Sequence, residues 1–186
     1  MALKNNAKWR AVLTFWFEQC SPQDWFSGDA AFDARLHQKF SMSVQSALGG
    51  WFDGWQEKPN SRLALILLLD QLTRNLYRGT PNAFAGDAKA LQLAQLAIAE
   101  GQLDNEPDEN KRMFLLMPLM HSEEIDIHRH AAPFFETYTS ANTIASAIKH
   151  QDAIARFGRY AHRNEILGRP STDAELEYLK SPETLF

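Results

Sequence analysis

The sequence predicts an all-α fold, a compact array of about eight helices. Apolar residues recur at intervals of three and four along most of the chain, as on the buried face of a helix. Residues that begin and end helices separate these runs by short connections, and no segment alternates convincingly as a strand does. Because the chain has 186 residues and 45% of them are hydrophobic, we expect one helical domain over residues 1–186.

Two helices are predicted before residue 50. The first covers residues 7–18, and Ser21-Pro22 ends it and starts a short turn. The second covers Ala30–Leu48 and ends at Gly49-Gly50. The residues expected to face the core are Trp9, Val12, Leu13, Trp16, Phe17, Phe32, Leu36, Phe40, Val44 and Ala47.

The third predicted helix, residues 62–77, changes from apolar to polar at Asp70. At 100° per residue, the polar residues that follow lie within one arc of about 140° and form a single polar face. These residues are Asp70, Gln71, Arg74, Asn75 and Arg78. Because the preceding residues are apolar on every side, the face predicts a buried functional site without naming a reaction.

Start and stop signals predict the middle helices. Thr80-Pro81 provides an N-cap and a proline for a helix over residues 83–100, which ends at Gly101. Pro107 opens a fifth helix, and Pro118 inside it is a potential point of kinking.

The last helices are predicted over residues 122–139 and 141–167. Gly168 and Pro170 stop the second of them. Thr172-Asp173-Ala174-Glu175 is a capping box for a final short helix.

All five tryptophans lie within the first 55 residues. Trp9 and Trp16 are seven residues apart on one helical face, which is ordinary spacing for a core. Phe15 lies off that face, so a hydrophobic groove for a partner helix is the alternative.

The histidines include spacings that a metal site could use. His121, Glu124 and His128 stand at i, i+3 and i+7, and His162 with Glu165 repeats the first interval. Six histidines among many acids produce such spacings by coincidence, so neither a metal nor a cofactor is predicted. The phosphate-loop, zinc-protease and serine-hydrolase motifs are absent from the sequence.

Three arginines are expected on one face of the 141–167 helix. Arg156, Arg159 and Arg163 share that face, and Gly158 beside them is expected to let a backbone or a ligand approach closely. Guanidinium groups bind carboxylate and phosphate oxygens through paired hydrogen bonds. If this face meets the polar face of the third helix, five arginines ring one pocket, with Asp70, Glu123 and Glu124 as counter-charges. A structural salt-bridge network between helices is the alternative.

The charge pattern bears on the partner. A net charge of −4 argues against nucleic acid. Residues 100–126 are acidic and residues 149–169 are basic, so the two stretches either pair with each other or leave a basic face open to an anion.

Four long motifs stand out in the sequence: residues 12–17 (VLTFWF), 69–79 (LDQLTRNLYRG), 120–123 (MHSE) and 156–169, the last followed by Ser171-Thr172. With these motifs the chain resembles the bacterial DUF924 family of uncharacterised proteins with a TPR-like helical fold. The resemblance extends over most of the chain and implies an α-superhelical fold, but no established activity, substrate or cofactor. The family usually has proline where Ala161 stands and glutamine where His128 stands.

The leading hypothesis is a cytoplasmic binding protein that holds a peptide carboxylate or a small phosphorylated or carboxylated metabolite. One cysteine and no membrane-spanning run favour this compartment. Arg74, Arg78, Arg159 and Arg163 would clamp the ligand oxygens, and Asn75 and Asn164 would orient them; Asp70 and Arg156 complete the predicted site.

Two alternatives stay open. One is an enzyme that uses His121 or His162 as general acid or base beside Glu123 or Glu124. The other is a protein-interaction module that uses the aromatic amino-terminal half. The sequence does not predict the oligomeric state.

Overall fold

The computed structural model of the chain describes the backbone of residues 2–181 and the side chains of residues 7–181. Regular structure in this part of the chain is entirely helical, which confirms the all-α class. The helices are α1 (Ala2–Glu18), α2 (Pro22–Phe26), α3 (Ala30–Leu48), α4 (Pro59–Ile66), α5 (Thr73–Leu76), α6 (Asp87–Ala99), α7 (Gln102–Asn105), α8 (Glu109–Met120), α9 (Ile125–Tyr138), α10 (Ala141–Phe157) and α11 (Asp173–Tyr178). A π-helical segment, Leu67–Leu72, joins α4 to α5, and 3₁₀ turns lie at Asp53–Glu57, Pro81–Phe84 and Ala161–Arg163.

The described chain divides into two compact units. The first comprises residues 2–78 and 82–102, and the second comprises residues 79–81 and 103–181. The single domain and the TPR-like superhelix stay predictions. Among the described residues, no helix combines the length and the apolar character that a membrane span needs.

Helix α3 has the bounds that its sequence predicts. The Asp29 carboxylate caps its first turn by accepting the Ala31 N–H at 2.8 Å. At the other end, Gly50 follows with a φ of +77°, a left-handed conformation that favours glycine. All five residues predicted to face inward are buried: Phe32, Leu36, Phe40, Val44 and Ala47.

Most of the amino-terminal aromatic residues pack inside the first unit. The Trp16 and Trp25 rings stack with centroids 6.3 Å apart, and the Trp25 indole N–H donates to the Trp16 carbonyl at 3.0 Å. Phe52 stacks on Trp55 at 4.2 Å. These contacts confirm core packing for the residues involved, whereas Trp51 is 83% exposed.

The π-helical segment interrupts the helix predicted over residues 62–77. All six of its residues are buried, and the Thr73 hydroxyl donates to the Leu69 carbonyl at 2.7 Å. Gly86, at the start of α6, packs directly on that carbonyl, because a Cβ at Gly86 would lie 2.1 Å from the Leu69 oxygen. Regular α-helical geometry, with 100° per residue, therefore does not continue through Asp70. The arc of about 140° that the sequence predicts for the polar residues is not correct.

Helix α10 ends ten residues before its predicted end. Gly158 adopts a φ of +69° and donates its N–H to the Ile154 carbonyl at 2.8 Å, which closes the helix with a left-handed cap. A Cβ at Gly158 would meet nothing within 4 Å, so close approach is not its role. Arg159 and Arg163 follow the helix, and the prediction that they share a helical face with Arg156 is wrong.

Candidate functional site

In the first unit, the buried part of the predicted polar face pairs with α6. Asp70 is fully buried, and its Oδ1 lies 3.2 Å from Nη1 of Arg74. The same guanidinium binds Asp87 with both terminal nitrogens, at 2.8 and 3.0 Å. Gln71 donates to the Asp70 carboxylate from the neighbouring position. These bonds join the π-helical segment to the first turn of α6.

The other end of the predicted face pairs with α3. Asn75 donates to Asp33 Oδ1 at 2.8 Å, and Arg78 binds both oxygens of Asp33 at 2.7 and 3.1 Å. The hydrogen bonds to Asp33 raise the pKa of Arg78. The polar face is thus divided between two carboxylates from other helices of its own unit, Asp87 and Asp33. Two guanidinium groups meet three carboxylates here, so both guanidinium groups of the face are paired within their own unit.

In the second unit, Glu123 is held by Arg169 and by backbone. Its carboxylate accepts two bonds from the Arg169 guanidinium, at 2.7 and 2.9 Å, and one from the Tyr160 N–H at 2.8 Å. Burial by itself would raise the pKa of Glu123, but these hydrogen bonds outweigh it and the pKa is lowered. A carboxylate held ionised in this way is a poor proton acceptor near neutral pH.

A second ion pair fixes the residues after α10. Arg159 binds both oxygens of the buried Glu175, at 2.6 and 2.8 Å. The hydrogen bonds from Arg159 are the main cause that lowers the pKa of Glu175 to about 2. Asn164, fully buried, accepts from Arg169 Nε at 3.0 Å and donates to the Ser171 hydroxyl at 3.1 Å. Asn164 therefore orders this loop.

Arg156 is separate from the other arginines of the predicted face. Its guanidinium carbon lies 4.8 Å from the centroid of the Phe157 ring and 5.6 Å from that of the Tyr178 ring. Its described contacts are therefore aromatic, and none of them is with Arg159 or Arg163.

Three histidines lie against Tyr160 and a fourth, His121, lies against one of them, His150. We call this group with Tyr160 the histidine cluster: His121, His128, His150 and His162. They come from the end of α8, from α9, from α10 and from the 3₁₀ turn Ala161–Arg163. Their separation in the sequence explains why spacing rules miss the cluster.

Ring distances define the cluster. The Tyr160 ring centroid lies 5.6 Å from that of His150 and 5.5 Å from that of His162. The Arg163 guanidinium carbon is 4.5 Å from the Tyr160 ring centroid, and its Nη2 donates to the His121 carbonyl at 3.1 Å. The Tyr160 hydroxyl donates to the Met120 carbonyl at 2.5 Å.

Backbone carbonyls set the protonation of the two buried histidines. His150 Nδ1 lies 2.7 Å from the Ser146 carbonyl, and His128 Nε2 lies 2.8 Å from the Ser122 carbonyl, so these nitrogens carry the hydrogens. Burial, followed by the charge of His121, lowers the pKa of His150 to about 3. Burial also lowers the pKa of His128. Both imidazoles are therefore neutral at pH 7.

Among the described residues, no three His, Cys, Asp or Glu side chains are arranged to hold a metal ion. A groove between α9 and α10 is lined in part by His128, Phe135 and Ile148. The groove has space for about one water molecule, so an organic ligand of the cluster would contact its surface instead.

Glu123→Ala should destabilise the protein by roughly 2 kcal/mol, because the Arg169 guanidinium and the Tyr160 N–H lose a charged acceptor. Urea unfolding at pH 7 measures this difference. Glu124→Ala is the matched control, since Glu124 is exposed and makes no cap hydrogen bond, and it should change stability by less than about 0.5 kcal/mol. Equal effects of the two variants would contradict a structural role for Glu123.

A family model described as "Bacterial protein of unknown function (DUF924)" matches residues 12–183. This chain belongs to the DUF924 family. The match extends over both units of this chain and confirms the resemblance seen in its motifs. It assigns no activity to the polar residues.

A solved structure is similar to this DUF924 chain over nearly its whole length. It is the protein of unknown function ATU0120 from Agrobacterium tumefaciens, with 36% sequence identity and a TM-score of 0.89. The similarity covers 95% of this chain and 98% of the other. None of the curated proteins compared matches this chain.

Proposed function

We propose that this protein binds a small phosphorylated or carboxylated ligand on its second unit, beside the histidine cluster. The proposed donors are the half-buried His121 and His162, and the buried Arg163 lies close to them and contributes positive charge. This proposal keeps Arg163 from the sequence-based ligand site and draws the two histidines from the sequence-based catalytic alternative.

The observation that supports it most is the local charge. Three guanidinium groups, those of Arg159, Arg163 and Arg169, lie with the Glu123 and Glu175 carboxylates in this part of the second unit. Within this small group the cations outnumber the carboxylates by one before any imidazole is protonated, although the second unit as a whole has more acidic than basic residues. The proposal rests on this local excess of positive charge, which attracts an oxyanion.

The geometry provides an ordered cation as well as an excess of charge. Arg163 is fixed between the Tyr160 ring and the His121 carbonyl, so its side chain is ordered before a ligand arrives. Imidazole and guanidinium groups are N–H donors, and a donor that is charged forms the stronger bond to an oxyanion.

Titration of the protein with sulfate, phosphate and succinate at about pH 6.5, followed by NMR spectroscopy, tests the proposal. Imidazole resonances of His121 and His162 should shift and saturate. Those of His37 and His130, which are exposed elsewhere on the chain, should not. Failure of all three anions to produce a saturable shift at millimolar concentrations would contradict the proposal.

His162→Gln should weaken binding of the best anion by about tenfold, because glutamine keeps a neutral N–H donor but cannot carry the positive charge that strengthens a histidine's bond to an oxyanion. His130→Gln is the matched control, since it changes the same side chain at an exposed position of α9, and it should bind with unchanged affinity. Equal affinity of both variants would remove His162 from the site.

A further inference from the structure

We propose that two copies of this protein pair through the outer face of α3, antiparallel about a twofold axis near Ser46. Five residues of α3 lie within an arc of about 80°, away from the buried residues of the helix, and form this outer face. They are Arg35, Lys39, Met42, Ser46 and Gly49. The proposal concerns the first unit alone and is independent of the anion site proposed on the second.

Apolar side chains are exposed on the outer face. Met42 is 74% exposed, and Trp51, which follows α3, is 83% exposed. A Cβ at Gly49 would lie 3.1 Å from Cδ1 of Trp51, so the indole lies over the outer face, about 10 Å along the helix from Met42. Between them, the Ser46 hydroxyl donates to the Met42 carbonyl at 2.8 Å. A partner can therefore cover this stretch without breaking a hydrogen bond of that hydroxyl.

The two ends of the outer face carry opposite charges. Toward the amino-terminal end, the Lys39 ammonium donates to the neutral side chain of Gln19 at 3.4 Å. Beyond the other end, the Asp53 carboxylate lies beside Gly50, where a Cβ would be 3.5 Å from Asp53 Oδ2. The other oxygen, Oδ1, pairs with Lys89 at 3.3 Å, and half of the Asp53 side chain stays exposed. The dipole of α3 adds partial negative charge at this end.

Antiparallel pairing brings unlike groups together. An axis near Ser46 is midway in the sequence between Lys39 and Asp53, and also between Met42 and Trp51. In each copy Lys39 therefore faces Asp53 of the other copy, and Met42 packs against the other Trp51. Parallel pairing would place Lys39 against Lys39. An anionic peptide or surface would attract Lys39 and repel Asp53, whereas a second copy offers a partner to each.

Sedimentation velocity of the full chain measures the association. The wild type should change from monomer to dimer as its concentration rises from about 1 µM to about 1 mM, the range of a modest interface. Trp51→Ala should raise the dissociation constant at least about tenfold, because a tryptophan near the centre of an interface carries much of its free energy. Ile148→Ala is the matched control, since Ile148 is an exposed apolar residue of α10, and it should associate like the wild type.

Lys39→Glu tests the orientation of the two copies. It places a carboxylate opposite Asp53, so it should weaken association severalfold at low salt concentration. Lys149→Glu makes the same change at an exposed position of α10 and should leave association unchanged. Equal dissociation constants for the two variants would contradict the antiparallel pairing.

A disulfide crosslink tests the position of the axis. In a Cys20→Ser background, Ser46→Cys should form a covalent dimer with oxidised glutathione, because residues beside a twofold axis approach within disulfide distance. His37→Cys, at an exposed position on another side of α3, should remain largely monomeric. Circular dichroism establishes that each variant is folded, and sedimentation of Trp51→Ala decides the question if Ser46→Cys does not fold.

The outcomes are distinct. A wild type that stays monomeric at about 1 mM, or a Ser46→Cys variant that crosslinks no faster than His37→Cys, would overturn the proposal. Binding of a monomer to anionic lipid vesicles, lost in Trp51→Ala, would assign the outer face to a membrane surface and overturn the pairing as well. None of these results bears on sulfate binding at the second unit, so the two proposals fail independently.

Discussion

Gly86→Ala should destabilise the protein by roughly 3 kcal/mol or more. A Cβ at this position would lie 2.1 Å from the Leu69 oxygen and 2.8 Å from its carbonyl carbon, both of them backbone atoms. The π-helical segment that contains Leu69 is completely buried, so it cannot shift without disturbing the core. Urea unfolding monitored by circular dichroism measures the loss.

Gly54→Ala is the matched control. A Cβ at Gly54 would meet nothing within 4 Å, and its φ is not in the left-handed region. It should be neutral or stabilise the protein by a few tenths of a kcal/mol, since alanine restricts the unfolded chain more than glycine does. Similar unfolding midpoints for Gly86→Ala and wild type would show that α6 can move away from Leu69.

Acid should destabilise the wild type through His150 before most carboxylates titrate. Burial lowers the pKa of His150 from its ordinary value of 6.5 to about 3. Between these pH values the unfolded chain binds a proton at this histidine and the folded chain does not, so stability falls as the pH falls. The loss approaches 1.4 kcal/mol per pH unit and reaches roughly 2–3 kcal/mol by about pH 4.5.

His150→Phe tests this expectation because it keeps an aromatic ring against Tyr160 and removes the titrating group. The free energy of unfolding, measured by urea at several values between about pH 7 and 4.5, should depend less steeply on pH in this variant. His130→Gln should retain the wild-type dependence, since His130 is exposed. An unchanged slope in His150→Phe would assign the acid sensitivity to other groups, such as His128.

Helix ends signalled by local chemistry were predictable from the sequence. Helix α3 has the predicted bounds because its N-cap and its glycines act within a few residues. The capping box at α11 is also confirmed, since Thr172 Oγ1 accepts the Glu175 N–H at 3.3 Å and Glu175 accepts the Thr172 N–H at 2.7 Å. Gly158 shows the limit of such reasoning, because the same residue type permits close packing at one position and closes a helix at another.

The polar residues of the third helix were recognised, but their partners were not. Asp70 and Arg74 are close in sequence, so their ion pair could be anticipated from an interval of four. Asp33 and Asp87, which complete the pairs of Arg78 and Arg74, come from other helices, and spacing rules carry no information about them. The ligand-binding role predicted for these residues stays a prediction.

The sequence by itself determined the helical class, the family and the chemistry that is available, because periodicity, caps and long motifs are local properties of the chain. Only the tertiary structure decided which charges neutralise each other and which histidines meet. Those outcomes depend on contacts between residues far apart in the sequence, such as His121 with His150, 29 positions on, and His128 with Tyr160, 32 positions on. Burial then decides which of these imidazoles stays neutral, and burial is a property of the packed fold.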